Sequence, residues 1–265
     1  MTPDALDKLA CRDDPRRATG CAPAGSRTVS SSRPTSTSIY PEMMPTTIRR
    51  VGAVSRTDQR ATRLGGVRRL QDTPAASRST SGRALMQAKT SERIYHQTDT
   101  HWNDRGALVA YQIIIDALRR QVPAVPPAWT RDDFEPVTRD VEGMDLAGMM
   151  GLTRVLHEVD LALVPKRARR ARVVEPAGAG PTAEEGRLVT EIPGSSLPRA
   201  VIFRDSFASR LVPFLSEHFS RAVYLWQNDF DADVVVSQEH PDVVIQEIVG
   251  RHLYGFIPSP ELVPK

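Results

Sequence analysis

Residues 98–103 read TDTHWN and hold two side chains suited to acid–base chemistry, Asp99 and His101. Two positions apart, they point to the same side of an extended segment. A carboxylate beside an imidazole sets the ring's orientation and leaves its far nitrogen free to take a proton, but such a pair needs a nucleophile. Ser206 is the candidate, in VIFRDSFASRLVPFL at 201–215, where an apolar run that reads as a buried strand gives way to a helical pattern. A hydroxyl at that junction lies at the carboxyl edge of a sheet. The backbone N–H groups of the first helical turn, with the helix dipole, then face a developing oxyanion. A plain helix cap made by Asp205 or Ser206 explains the same residues. The elbow G-x-S-x-G is missing from this stretch, which disfavours an ordinary α/β-hydrolase. Loops at strand ends converge on one sheet edge, so Asp99, His101 and Ser206 can meet despite their distance along the chain.

The neighbours of these motifs are more ambiguous. Trp102 offers either an aromatic face for a pyranose ring or a core side chain. Asn103 and Arg204 flank the motifs, placed either to position substrate or to serve as a cap and a surface charge. His96 lies on the approach to the motif, and His157, His218, His240 and His252 have no comparable carboxylate partner in a loop. Asp99 and His101 could begin a metal site, but no H-x-x-x-H spacing or clustered third ligand follows, so no metal and no organic cofactor is expected.

The elements that must position these groups are legible in the last two thirds of the chain. Asn103 or Asp104 caps a helix over about 105–121, with an apolar face of Ala107, Leu108, Ala110, Tyr111, Ile114, Ile115 and Leu118. The run VPAVPPAW ends it. A short helix is expected within 140–152. The basic run at 166–172 reads as a solvated surface, followed by a Pro/Gly-rich loop or edge hairpin. Strands at 199–203, 222–226 and 242–248, a helix at 206–219 and helical residues to 253 imply a parallel, buried sheet flanked by helices.

The opening third differs in character. Residues 1–90 carry 16 Lys+Arg against 7 Asp+Glu, whereas the rest carries 19 against 25, so the net +3 conceals a basic segment joined to an acidic body. That asymmetry removes the main support for a nucleic-acid binder. Cys11 and Cys21 read as free thiols more readily than as a pair. Order is expected to begin near Leu85. Residues 1–84 read as a largely disordered or degenerate basic segment, 85–257 as the functional domain and 258–265 as a tail. The first anchoring apolar residues come at 38–45, and a short helix is conceivable at 46–60. The opening residues lack the apolar run of a secretory signal, and no stretch approaches a membrane span.

Four segments, IYHQTDTHWNDRGALVAYQ, GMDLAGMMGL, RDSFASRLVPFLSEHF and HPDVVIQEIVGRHL, resemble in order the SGNH-hydrolase-like domain of the alginate O-acetyltransferase (AlgX/AlgJ-like) proteins. The resemblance covers about 91–254, and SIYPEMMP matches a further upstream segment. It implies a three-layer α/β/α sandwich with a mostly parallel sheet and permuted motif order. It implies a triad of Asp99, His101 and Ser206, with acetyl transfer to or removal from exopolysaccharide hydroxyls in the bacterial periplasm. It also implies a membrane-bound acyltransferase partner that donates acetyl. The chain departs from the pattern before Leu85, where TPAASRSTSG replaces an expected core strand, and no export signal is visible. The amino-terminal third is therefore read as truncated, misassigned or partly out of frame. A coding sequence with no family-like continuation in its other frames would refute that.

The leading expectation is an O-acyltransferase or ester hydrolase that forms an acyl-enzyme on Ser206. The alternatives are a non-catalytic carbohydrate-binding or assembly subunit and an inactive, truncated member.

Overall fold

The computed structural model describes residues 27–33, 76–175, 186–227, 231 and 234–249. Strand β9 (Val243–Val249) is buried at every residue, and β7 (Arg199–Arg204) and β8 (Arg221–Trp226) are buried along nearly their whole length. Such runs are apolar on both sides because helices and loops cover both faces of the sheet. The β7 strand pairs in parallel with β8 and β9. Two more strands join β9 from the opening third, β1 (Arg27–Arg33) and β2 (Ala76–Thr80), both parallel. On the other side β6 (Arg187–Glu191) and β5 (Arg172–Glu175) add antiparallel strands. The resulting seven-stranded mixed sheet has the order β2-β1-β9-β7-β8-β6-β5.

Alternate residues of the central strands feed two cores. Ala200, Ile202, Ala222, Tyr224, Val243 and Ile245 pack with the first. Val201, Phe203, Val223, Leu225 and Val244 pack on the opposite face. A large share of the first core comes from α2 (Asp104–Arg119), whose buried stripe is the apolar face read from sequence. Before it lies a short helix, α1 (Gly82–Ala88). A separate antiparallel hairpin, β3 (Phe134–Glu142) with β4 (His157–Pro165), is bridged by an excursion that contains α3 (Asp145–Met149). It is docked to α2 where the Leu163 N–H donates to Asp104.

Several expectations need correction. Arg27–Arg33 and Ala76–Thr80 are strands, although both lie before Leu85 in a segment read as irregular. Their Ser- and Thr-rich sequences carry no apolar periodicity; β9 offers a ladder to β1, and β1 in turn offers one to β2. The rest of 1–75, including Cys11, Cys21, the 38–45 run and the conceivable helix at 46–60, lies outside the described residues. The helix expected at 206–219 is broken into a 3-10 turn (Ser206–Arg210), α4 (Val212–Leu215) and a second 3-10 turn (Ser216–His218). Pro213 can sit only in the first turn of a helix, so a new helix starts there. Residues 140–142 extend β3 and do not begin a helix, and β9 runs on to Val249 where helix was expected; residues 250–253 lie outside the described residues. The basic run is exposed but not free. Arg167 lies 3.9 Å above the Trp129 ring, Arg169 donates to the Pro213 carbonyl, and Arg170 engages Glu217.

Candidate active site

The turn after β7 is shaped by Asp205, not by Ser206. Asp205 is the N-cap of the 3-10 turn, and its Oδ1 accepts the Phe207 N–H at 2.9 Å. Its Oδ2 accepts the N–H of Val249 at 2.8 Å, which ties the turn to the end of β9. Capping is thus done by the aspartate, and the half-buried Ser206 hydroxyl is left for another partner. The capping also restricts the backbone donors expected to face an oxyanion. The Phe207 N–H goes to the carboxylate and the Ala208 N–H to the Asp205 carbonyl at 3.3 Å, so Ser206 supplies the remaining first-turn N–H.

That partner comes from a tight loop. Tyr95 and Trp102 form an antiparallel bridge, the His96 N–H donates to the His101 carbonyl, and the Asn103 N–H donates to the Ile94 carbonyl. Gly106, in the first turn of α2, lets the helix sit flush on this bridge. A Cβ there would stand 2.3 Å from the Ile94 carbonyl oxygen and 2.8 Å from the Trp102 Cβ.

Within the loop, Asp99 Oδ1 accepts both the backbone N–H and the Nδ1–H of His101, at 2.8 and 2.6 Å. A carboxylate only accepts, so the proton sits on Nδ1 and the lone pair on Nε2. Nε2 lies 2.7 Å from Ser206 Oγ. Burial alone would raise the Asp99 carboxyl, but its bonds to the His101 side chain and backbone outweigh this and hold it below the usual range. Phe207 closes one side of the imidazole, with ring centroids 4.7 Å apart. The hydrogen-bonded series Asp99–His101–Ser206 is therefore continuous and only partly exposed, an arrangement that can move a proton off the hydroxyl.

Other proposed site residues lie elsewhere. Trp102 has no exposed surface; its indole N–H donates to the Phe207 carbonyl at 3.1 Å and its ring meets Phe207 edge-on. It is a core residue and offers no face to a sugar. Asn103 is the N-cap of α2, accepting from Arg105 and Gly106 and donating to the Arg93 carbonyl. Arg204 is 2% exposed, with its guanidinium on Ser209 and over the Trp226 ring. Neither Asn103 nor Arg204 offers a surface to a substrate, because each is only 2% exposed.

Residues not anticipated from sequence hold the loop instead. Buried Glu158, on β4, accepts from the Gln97 and Thr98 N–H groups, the Thr98 hydroxyl and His96 Nδ1. Burial raises its carboxyl, but the bonds from Thr98 and His96 prevail and hold it low. Asp145, at the start of α3, accepts the Thr100 N–H at 2.8 Å and its hydroxyl at 2.5 Å. A polar side chain at an inward position of a strand was the available signal for Glu158. Asp145 read only as an acid in a first helical turn.

Asp99, His101 and Asp145 present ligand atoms within 4.8 Å of one another, a donor set that a divalent cation accepts. Asp99 Oδ1 and both Asp145 oxygens already accept from N–H and O–H donors, however, and His101 Nδ1 donates to Asp99, which suits a hydrogen-bonded relay better than a cation site.

Residues 21–229 match the profile of the SGNH hydrolase-like domain of the acetyltransferase AlgX. No curated protein sequence matches the chain. In fold it is similar to Bacillus cereus PatB1, with a TM-score of 0.61 and 16% identity over 86% of this chain and 84% of that one. It is also similar to a DHHW family protein from Eubacterium siraeum, with a TM-score of 0.59 and 13% identity over 97% and 86%. The O-acetyltransferase domain of Pseudomonas putida AlgJ gives 0.53 and 16% over 99% and 86%.

Proposed function

Because the chain belongs to the SGNH hydrolase-like domain family of the acetyltransferase AlgX, we propose that it is a serine-dependent O-acetyltransferase or acetylesterase acting on hydroxyls of an alginate-like exopolysaccharide. The observation that carries this reading is the continuous contact from Asp99 through His101 to Ser206, at 2.6 and 2.7 Å.

In the reaction, His101 Nε2 takes the Ser206 proton as Oγ attacks an acetyl carbonyl. The tetrahedral oxyanion is met by the Ser206 N–H, and Asp99 stabilises the imidazolium. His101 then returns its proton to the departing oxygen, leaving acetyl on Ser206. In the second half, His101 deprotonates a sugar hydroxyl or water. That oxygen attacks the acyl carbon, and Ser206 Oγ leaves with the proton from His101. No group beyond these side chains is needed for proton balance.

The wider setting follows from the resemblance: a polysaccharide acceptor, a membrane-bound acyltransferase as acetyl donor, and a periplasmic location. No helix among the described residues is long and apolar enough to cross a membrane. The test is turnover of an acetyl ester by the wild type and by Ser206→Ala, with mass spectrometry for acetyl on the peptide containing Ser206. Loss of turnover by ~10³-fold or more with loss of the adduct is expected. Unchanged turnover in the variant would overturn the reading, and polysaccharide binding with no turnover in either protein would favour a binding module.

A further inference from the structure

A second carboxylate stands beside the imidazole. His101 Nδ1 faces three acceptors: Asp99 Oδ1 at 2.6 Å, the Thr100 hydroxyl at 3.4 Å and Asp145 Oδ2 at 3.7 Å. Only the first makes a good hydrogen bond. Asp145 is spent on Thr100, whose N–H and hydroxyl it binds from α3. Thr98 fastens the same helix from the other side. Its carbonyl accepts from Leu146 and Ala147, and its hydroxyl accepts the Met144 N–H while donating to Glu158. The excursion at 143–156 is thus built onto the motif loop. Gly143 permits its closure, since a Cβ there would lie 2.4 Å from that of Ala147.

Resting on the reading of Ser206 as nucleophile, we propose that Asp145 is a positioning residue for the reaction. Its carboxylate holds Thr100 between Asp99 and His101 and places a second negative charge beside the imidazolium formed when Ser206 is deprotonated. A fixed charge at this separation favours the protonated ring in the transition state more than the neutral ring before it. Side-chain exposures of 31% for Asp145 and 23% for His101 leave the effect screened but not abolished. Other charged groups on the elements packed around the ring are engaged elsewhere, Asp205 by the Phe207 and Val249 N–H groups. His96 lies on Glu158 and near Asp160, and Asp104 on α2 is bound by Arg210 from the 3-10 turn. After Asp99, Asp145 is a second carboxylate close to Nδ1, at 3.7 Å, so its removal reads out at His101.

Asp145→Asn separates charge from shape, because its amide oxygen still accepts the Thr100 N–H and its nitrogen still meets the hydroxyl. At low ionic strength, NMR titration of the His101 ring is expected to show its apparent pKa falling by about half a unit to one unit in this variant. Turnover of acetyl esters falls about threefold to tenfold, with KM within twofold. Asp145→Ser carries the same titration if the asparagine variant does not fold. A His101 titration that overlays the wild type overturns the proposal, as does loss of activity in Asp145→Ala that Asp145→Asn fully restores at every pH. The titration needs no turnover and can be run in a Ser206→Ala background, so it still reads Asp145 if the nucleophile assignment fails.

Discussion

Five residues apart, the protein carries two histidine–carboxylate pairs of nearly the same local design. In each, an imidazole Nδ1 meets a carboxylate oxygen: His96 with Glu158 at 2.9 Å, and His101 with Asp99 at 2.6 Å. The first pair is sealed, with side-chain exposures of 1% and 0%, and its outer nitrogen, Nε2, has no hydrogen-bond partner among the described residues. The second is 23% and 17% exposed, and its outer nitrogen meets a hydroxyl. Glu158 gives Oε1 to its histidine and Oε2 to backbone and threonine donors of the motif loop, whereas Asp99 gives Oδ1 to both the backbone N–H and the ring of its histidine. A buried acid–imidazole pair is therefore no sign of chemistry by itself. Access and a third group separate the pair proposed to act from the supporting one.

The sharpest way to break this comparison is to remove each pair in turn. His101→Ala is expected to lower acetyl-ester turnover by ~10⁴-fold while its thermal midpoint stays within a few degrees, since little packing is lost. Glu158→Ala should do the reverse in kind. Four donors lose their acceptor, which costs about 3 kcal/mol in urea unfolding and loosens the loop. Equal stabilities for these two variants would erase the distinction.

A third histidine extends the comparison. His218 is fully buried against the Tyr111 hydroxyl, and burial pushes its pKa down to about 4. The unfolded chain, titrating near 6.5, therefore takes up this proton before the folded one does. The stability from neutral His218 is complete above about pH 6.5 and is lost as pH falls towards 4, up to about 3 kcal/mol. Unfolding midpoints across that window should show the slope, and His218→Phe should flatten it. The smallest expected effect belongs to Trp102→Phe, which gives up one hydrogen bond to the Phe207 carbonyl. About 1 kcal/mol of stability goes, turnover changes less than tenfold, and polysaccharide affinity is unmoved.

What could be read from the residues alone follows from how local each signal is. The α2 stripe and the apolar runs of β7, β8 and β9 are short-range patterns, and the structure has all four. The types and order of Asp99, His101 and Ser206 pointed to one another across the chain, and the coordinates bring them into contact. Support was harder to see. Glu158 and Asp145 reach the motif only because β3 and β4 pair and the intervening excursion folds back, neither of which leaves a local pattern. Trp102, Asn103 and Arg204 misled because residues beside a reactive group are as often its masonry as its reach. Strands β1 and β2 went unseen because neither pairing is local: β1 pairs with β9, far along the chain, and β2 pairs in turn with β1.

The hydrogen atom that serves as the side chain of Gly106 sets a tolerance for everything downstream. An added methyl would push α2 away from Ile94 and Trp102 by a good fraction of a bond length. Trp102 leans on Phe207, and Phe207 is the residue next to Ser206, the proposed nucleophile. A change with no polar atom and no place among the reacting groups would thus be felt as a lengthened reach between imidazole and hydroxyl, a spacer error transmitted through two aromatic rings.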